Sequence, residues 1–180
     1  MTLRRVRYYG DPVLKQRART ITEFDASLAA LAADMRETMK AYNGVGLAAN
    51  QIGVLQRILV IDVPVPDAPR IVYTLVNPVI ESREGSEKGE EGCLSIPGVW
   101  EEVTRANRIR VRAQDETGKP IAFEAEGYVA RAIQHEVDHL DGILFVDRLS
   151  LLKRQFLRRD LDALARGELP EDHHPPTAAI

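Results

Sequence analysis

His135, Glu136 and His139 fall within the stretch Gln-His-Glu-Val-Asp-His at 134–139. On a helix, residues four apart lie one above the other. Two imidazoles can therefore point at one metal ion while Glu136, about 100° around the axis, reaches past it as a general base. That is the geometry of metal-assisted hydrolysis. The same letters also occur on ordinary solvated helix faces, and a catalytic site of this kind needs a third protein ligand and a position open to water. One metalloprotease pattern would continue with glycine three residues after the second histidine and another histidine three further on; Gly142 is present, but position 145 is phenylalanine, which excludes that class. Asp160, Asp162 and Glu168 are acids downstream, in a segment that reads as a charged helix face. Cys93, in Glu-Glu-Gly-Cys-Leu-Ser-Ile-Pro-Gly, is the remaining soft donor, and a thiolate suits zinc or ferrous iron. A lone cysteine is also commonly a small buried thiol, so the residues alone leave the third ligand open.

The elements that must carry these groups can be read from periodicity. From Gly127 to Leu140, Val129, Ile133, Val137 and Leu140 recur every three to four positions, and Gly142 closes the run, which predicts that the histidine pair rides on a helix. A second amphipathic helix is predicted earlier, with Leu28, Leu31, Met35, Met39 and Tyr42 on one face, Asp25 as N-cap and Gly44 just past the end. Short β-rich runs at 57–63, 71–80, 108–115 and 121–126 are punctuated by Pro and Gly and predict mostly antiparallel strands. A last helix is expected from Ser150 to Arg166, with Leu151, Leu152, Phe156, Leu157, Leu161 and Leu164 as its stripe. Strands with segregated helices make an α+β fold: antiparallel sheets packed around a central helix that bears the histidine motif, with a C-terminal helix.

Bulk properties narrow the partners. A chain of 180 residues supports one core, expected over 1–168, with a disordered tail at 169–180 where Pro and polar residues dominate. His173 and His174 fall on that tail, where a functional metal site is not expected. The formal net charge of -3 argues against a general polyanion or sequence-specific nucleic-acid binder. No apolar run approaches a membrane span or a signal-peptide core, and a single cysteine suits a reducing compartment, so the expected location is the cytoplasm.

Three stretches together carry a resemblance. Gly-Val-Gly-Leu-Ala-Ala-Asn-Gln (44–51), Glu-Gly-Cys-Leu-Ser (91–95) and Gln-His-Glu-Val-Asp-His (134–139), in this order and at these separations, closely resemble the three signature motifs of the peptide deformylases. The opening Tyr-Tyr-Gly-Asp-Pro-Val-Leu-Lys-Gln-Arg-Ala and the later Leu-Asp-Gly-Ile-Leu-Phe-Val-Asp-Arg-Leu-Ser are similar to that family as well. The resemblance implies a metal-dependent hydrolase that removes the formyl group from the N-terminal formyl-methionine of newly synthesised polypeptides. It makes Cys93, His135 and His139 the metal ligands and Glu136 the acid/base acting on a metal-bound water. Gln51 and the backbone N–H of Leu94 become partners of the oxyanion. Ferrous iron is the first expectation for the metal, with zinc, nickel or cobalt as alternatives.

The same resemblance places Val45, Gly46, Tyr128, Arg131 and Ala132 along the substrate. Tyr128, Arg131 and Ala132 share the His135 face of the helix, and the arginine stem is expected to cover apolar surface while its charge reaches water. Many relatives carry an arginine seven residues after the metal cysteine; this chain has Trp100 there, a departure that bears on how the peptide is held beyond its first residue. Lys153, Arg154, Arg158 and Arg159 on the last helix could form a basic patch for transient contact with the ribosome; the favoured alternative is a solvated face on which they alternate with Asp160 and Asp162. A small metallopeptidase using a downstream acid is the competing enzymatic reading, and a non-catalytic metal or peptide binder the competing reading outside enzymes.

Overall fold

The computed structural model describes residues 2–171 and 173. In chain order it contains α1 (Ala26–Ala41), β1 (Gly46–Ala48), β2 (Ile58–Val65), β3 (Ala68–Glu84), β4 (Glu87–Cys93), β5 (Ile96–Arg105), β6 (Arg108–Gln114), β7 (Pro120–Glu126), α2 (Gly127–Leu140), α3 (Leu151–Phe156) and α4 (Arg158–Ala165). Strands β1-β2-β3-β6-β7 form one sheet in that order and β4-β5 a separate hairpin, every pairing antiparallel. The fold is α+β.

Strand β2 organises the core. Its side chains alternate between faces, so Leu59, Ile61 and Val63 pack with α2 while Ile58 and Val60 pack with α1. All five are fully buried, each contributing about 1.5–3 kcal/mol by leaving water. A strand buried on both faces explains why Ile58, Leu59, Val60 and Ile61 are apolar in succession rather than alternating, before Asp62 interrupts the run. Helix α1 begins at the Asp25 cap, whose carboxylate accepts the N–H groups of Ser27 and Leu28. It ends with Asn43 in the left-handed region (φ 56) and Gly44 donating its N–H to the Met39 carbonyl at 2.8 Å. That turn delivers the chain into β1 at the entrance of the site.

Helix α2 is buried on all sides: from Val129 to Leu140 every residue is buried, its polar positions included. Its apolar side chains face the large sheet, and the opposite side meets the β4-β5 hairpin through Arg131, His135 and Asp138. Behind the hairpin a further core joins Ile96, Val99 and Val103 to Leu144, Phe145, Val146, Leu161 and Leu164.

The single helix expected over 150–166 is two short ones. At Leu157 (φ -82, ψ -6) the backbone leaves the regular α path, and the change of direction brings Leu161 and Leu164 into the core. Leu151, Leu152 and Phe156 are instead left 84%, 62% and 77% exposed, so the expected stripe is not one buried face. Of the expected tail, Leu169 packs against the third core and His173 meets Tyr8, whereas residues 172 and 174–180, His174 among them, lie outside the described residues. Among the described residues no helix is long and apolar enough to cross a membrane.

Candidate metal centre

Cys93, His135 and His139 converge although they come from different layers. Cys93 is the last residue of β4 and pairs with Ile96 across the two-residue turn Leu94-Ser95, so the cysteine sits at the tip of a hairpin. The histidines lie four apart on α2, with ring centroids 4.9 Å apart. The Cys93 Sγ stands 3.2 Å from His139 Nε2, and the three donor atoms all lie within 4.8 Å of one another. Bonds of about 2.0–2.3 Å to one divalent ion need separations of this order. A sulfur and two imidazole nitrogens are a donor set for zinc or ferrous iron, so the residues fit a metal.

The second atoms of the histidines are treated differently. His135 Nδ1 faces Glu91 Oε2 at 3.0 Å, which turns its Nε2 toward the cluster. His139 Nδ1 is buried and has no hydrogen-bond partner among the described residues. Burial, with the nearby charges of His135 and Arg105, pushes the His139 pKa well below its ordinary value and keeps the ring in the neutral form that binds metals. Burial acts the same way on His135, but the neighbouring Cys93 and Glu91 outweigh it and raise its pKa. The buried Phe145 ring lies 25° from parallel to that of His135, with centroids 6.1 Å apart.

Gln51 reaches the centre from a 3-10 turn, Ala49–Ile52. Its Oε1 accepts the Ala48 N–H at 2.8 Å, which directs Nε2 toward Ser95 Oγ (3.2 Å) and Cys93 Sγ (3.6 Å). The N-terminal segment holds both loops in register: Arg7 N–H donates to the Gln51 carbonyl and Tyr9 N–H to that of Ser95. Glu136 is buried beside Gly46, and its Oε2 has no partner among the described residues. Burial pushes its pKa up to about 7, a poise suited to taking and giving a proton near neutrality. A Cβ at Gly46 would sit 2.4 Å from Glu136 Oε1, so only glycine leaves room for this carboxylate.

Ten of the eleven residues assigned from the sequence line one cavity of about 450 Å³; the eleventh, His139, is buried against Cys93. A profile of the family described as polypeptide deformylase matches residues 3–155. The chain belongs to the polypeptide deformylase family. It is 51% identical over 158 residues to the peptide deformylase of Alkalilimnicola ehrlichii, covering 88% of each chain. Among solved structures, that of peptide deformylase from Thermus thermophilus superposes with a TM-score of 0.85 at 49% identity, over 93% of this chain and 99% of the other. The Legionella pneumophila enzyme gives 0.83 at 45% identity, over 93% and 98%.

Within this family member, Arg131 departs from expectation. Its charge does not reach water: the guanidinium is buried, donating to Glu91 Oε1 at 2.8 Å and to the carbonyls of Val103 and Glu87 at 2.9 Å each. It pins α2 to the hairpin. Tyr128 is half-exposed at the rim, and Ala132 and Val45 line the cavity nearby. Trp100 lies across Gly92, where an added Cβ would come within 2.7 Å of the indole, and is 65% exposed at the cavity edge.

Sequence reading passed over Glu91, Arg105 and Asp138. Arg105 clasps Glu91 through two bonds of 2.9 Å and also binds Asp138, which in turn pairs with Arg148. Burial alone would raise the Glu91 pKa; its bonds with Arg105 and His135 hold it far below the carboxylate range instead. The available signal was the position of Glu91 two residues before the cysteine and of Asp138 beside His139, both inside the quoted motifs.

Proposed function

We propose that the protein removes the formyl group from formyl-methionine at the N-terminus of newly made polypeptides, releasing formate. The observation carrying this is the convergence of Cys93, His135 and His139 with the buried Glu136 carboxylate at one end of an open cavity. In this reading Cys93, His135 and His139 hold one divalent ion, iron in its ferrous form first, with zinc, nickel and cobalt as alternatives. Such an ion supplies Lewis acidity and brings the pKa of water toward ~7.

The remaining work belongs to side chains. Glu136 takes the proton from the attacking water and delivers it to the departing amine, as a carboxyl with a pKa of about 7 can do in both directions. The developing oxyanion receives the Gln51 amide, already aimed by the Ala48 N–H, and the Leu94 N–H from the hairpin turn. Donors fixed before the reaction cost no reorganisation during it, and each is worth about 3 kcal/mol of barrier. Val45, Tyr128, Ala132 and the stem of Arg131 border the methionine side chain, and Gly46 admits the peptide backbone.

The same reading assigns residues 1–168 to one catalytic domain working in the cytoplasm, in transient contact with ribosomes through Lys153, Arg154, Arg158 and Arg159. Exposed Leu151, Leu152 and Phe156 beside these cations support that contact. Co-sedimentation with ribosomes should fall when the four charges are reversed.

The deciding experiment is formate release from a formyl-Met tripeptide by anaerobically prepared, metal-quantified protein, beside Cys93→Ala. Formate from the parent, with metal and activity lost together in the variant, supports the assignment. A fully metallated parent that releases no formate refutes it.

A further inference from the structure

The N-terminal segment ties together the turn that carries Gln51 and the tip of the hairpin, and Tyr8 stands at its centre. Arg7 donates its N–H to the Gln51 carbonyl at 2.7 Å, and Tyr9 donates its own to the Ser95 carbonyl at 2.8 Å. Ser95 is fully buried, and its Oγ lies 3.2 Å from Gln51 Nε2. Both backbone bonds therefore converge on one side chain: the first fixes the Gln51 backbone, and the second fixes the residue whose hydroxyl meets the Gln51 amide. Tyr8, between the two donors, does not itself line the cavity.

What holds Tyr8 comes from the opposite end of the chain. The profile match ends at residue 155, yet the segment beyond it returns to the N-terminal one. At Gly10 (φ +101) an added Cβ would be 2.7 Å from Ala165 Cα, so the end of α4 crosses the N-terminal segment with no room for a side chain. Leu161 and Leu164 belong to the core against which Tyr9 and Leu169 pack. Pro170 then lies over Gly98, where an added Cβ would be 2.9 Å from its ring. His173 donates its N–H to the Pro170 carbonyl at 2.9 Å, and its Nε2 lies 2.9 Å from the Tyr8 hydroxyl, with the two rings edge to face at 5.3 Å. Burial pushes the Tyr8 pKa up to about 12, so the phenol keeps its proton at neutral pH.

We infer that Tyr8 and His173 are positioning residues for Gln51. Their contact fastens the N-terminal segment, and the two backbone bonds of that segment then hold the Gln51 amide at the aim the oxyanion requires. The inference rests on the deformylase reading and adds to it two residues that act through Gln51 rather than on the reacting atoms. A preorganised donor is effective because it is fixed before the reaction, and one left free to shift loses part of its effect. Removing one hydrogen bond that holds it corresponds to about two- to tenfold in kcat.

The test measures kcat and KM for formate release from a formyl-Met tripeptide, using metallated full-length protein. Tyr8→Phe and His173→Ala should each lower kcat about two- to tenfold, with KM and bound metal as in the parent. The double variant should be no slower than the slower single one, because both remove the same contact, and His173→Gln, which keeps an acceptor for the hydroxyl, should restore part of the rate. A merely structural contact would not depend on Gln51, so Tyr8→Phe is repeated in a Gln51→Ala background, where its effect on kcat should vanish. Parental kcat in both single variants overturns the inference, and so does a Tyr8→Phe loss that is equally large without the Gln51 amide. A change confined to KM in His173→Ala overturns it as well, since His173 borders the cavity and would then be meeting the peptide itself. No formate from the parent would instead be failure of the deformylase reading, so the two failures are separable.

Discussion

Gly46→Ala tests whether the position of the Glu136 carboxylate governs turnover. The new methyl carbon would lie 2.4 Å from Glu136 Oε1 and 2.9 Å from its Cγ and Cδ, against ordinary contacts that begin near 3.4 Å. Something must give by about 1 Å. Gly46 is fixed in β1 by its pairing with Ile61, and the α2 backbone is packed on all sides, so the side chain of Glu136 yields. Misplacing a reacting group by about 1 Å costs on the order of 10²-fold in rate, or ~2.7 kcal/mol. Crowding a packed region also destabilises by about 1–3 kcal/mol, so activity must be read well below the melting transition. Cys93, His135 and His139 are not displaced, and bound metal should stay stoichiometric. Anaerobic formate release should show the loss mainly in kcat. A folded, fully metallated Gly46→Ala protein within about threefold of the parent would refute the placement of Glu136 as the proton carrier.

Three other outcomes follow from the contacts around the site. Glu91→Gln removes the charge that faces Arg105, Arg131 and His135; it should destabilise by about 3–5 kcal/mol in urea and weaken metal affinity about 10–100-fold by competitive titration, and unchanged affinity would sever Glu91 from the metal centre. Replacing Glu91, Arg105 and Arg131 together by Met, Met and Leu should leave stability within about 2 kcal/mol of the parent yet lower metal affinity as the single variant does; a triple variant as unstable as Glu91→Gln would show that the charges serve stability. At Asp34, burial opposes the charge, but the Thr2 N–H at 2.7 Å and Arg4 at 2.8 Å outweigh it and hold its pKa below the ordinary value of an aspartate. Its contribution is therefore present above the unfolded pKa and lost as pH falls through the depressed folded one: Asp34→Asn should cost about 1–2 kcal/mol at pH 7 and progressively less below pH ~4, and a constant difference would remove Asp34 from acid unfolding.

The parts of the fold that were legible in the sequence are those whose apolar residues keep a helical period or whose ends are marked. Helix α2 spans Gly127–Leu140, the stretch set by Val129, Ile133, Val137 and Leu140, and α1 starts at the Asp25 cap. Strands β4 and β5 were not legible, because Glu87, Lys88, Glu90 and Glu91 show no apolar alternation; their strand character comes from pairing Glu87 through Cys93 with Arg105 through Ile96. The split at Leu157 was hidden because periodicity counts apolar positions without saying which core they meet. For the site, motif spacing named the groups around the metal centre but not their supports. Glu91, Arg105 and Arg131 are ordinary surface letters in sequence and become interior ones only when α2 docks on the hairpin.

That docking bears on why so much charge is buried. Side-chain exposures of 4% for Glu91, 5% for Arg105, 8% for Arg131 and 11% for Asp138 mean that each ion has lost most of its water. Well-packed apolar residues would usually hold such an interface as firmly or more so, which makes stability a poor reason for the network. Among the described residues, Glu91 is the member that hydrogen-bonds a residue of the metal centre, through His135 Nδ1 at 3.0 Å. A lone buried carboxylate there would tend to take up a proton, and as a neutral acid it could no longer accept the imidazole N–H with a full charge. Arg105 and Arg131 prevent this by hydrogen-bonding Glu91 from two sides, while Asp138 and Arg148 anchor Arg105 in turn. The network is thus a mounting for one histidine: its cost in desolvation is offset locally, and its product is a fixed tautomer and a fixed ring direction beneath the cavity.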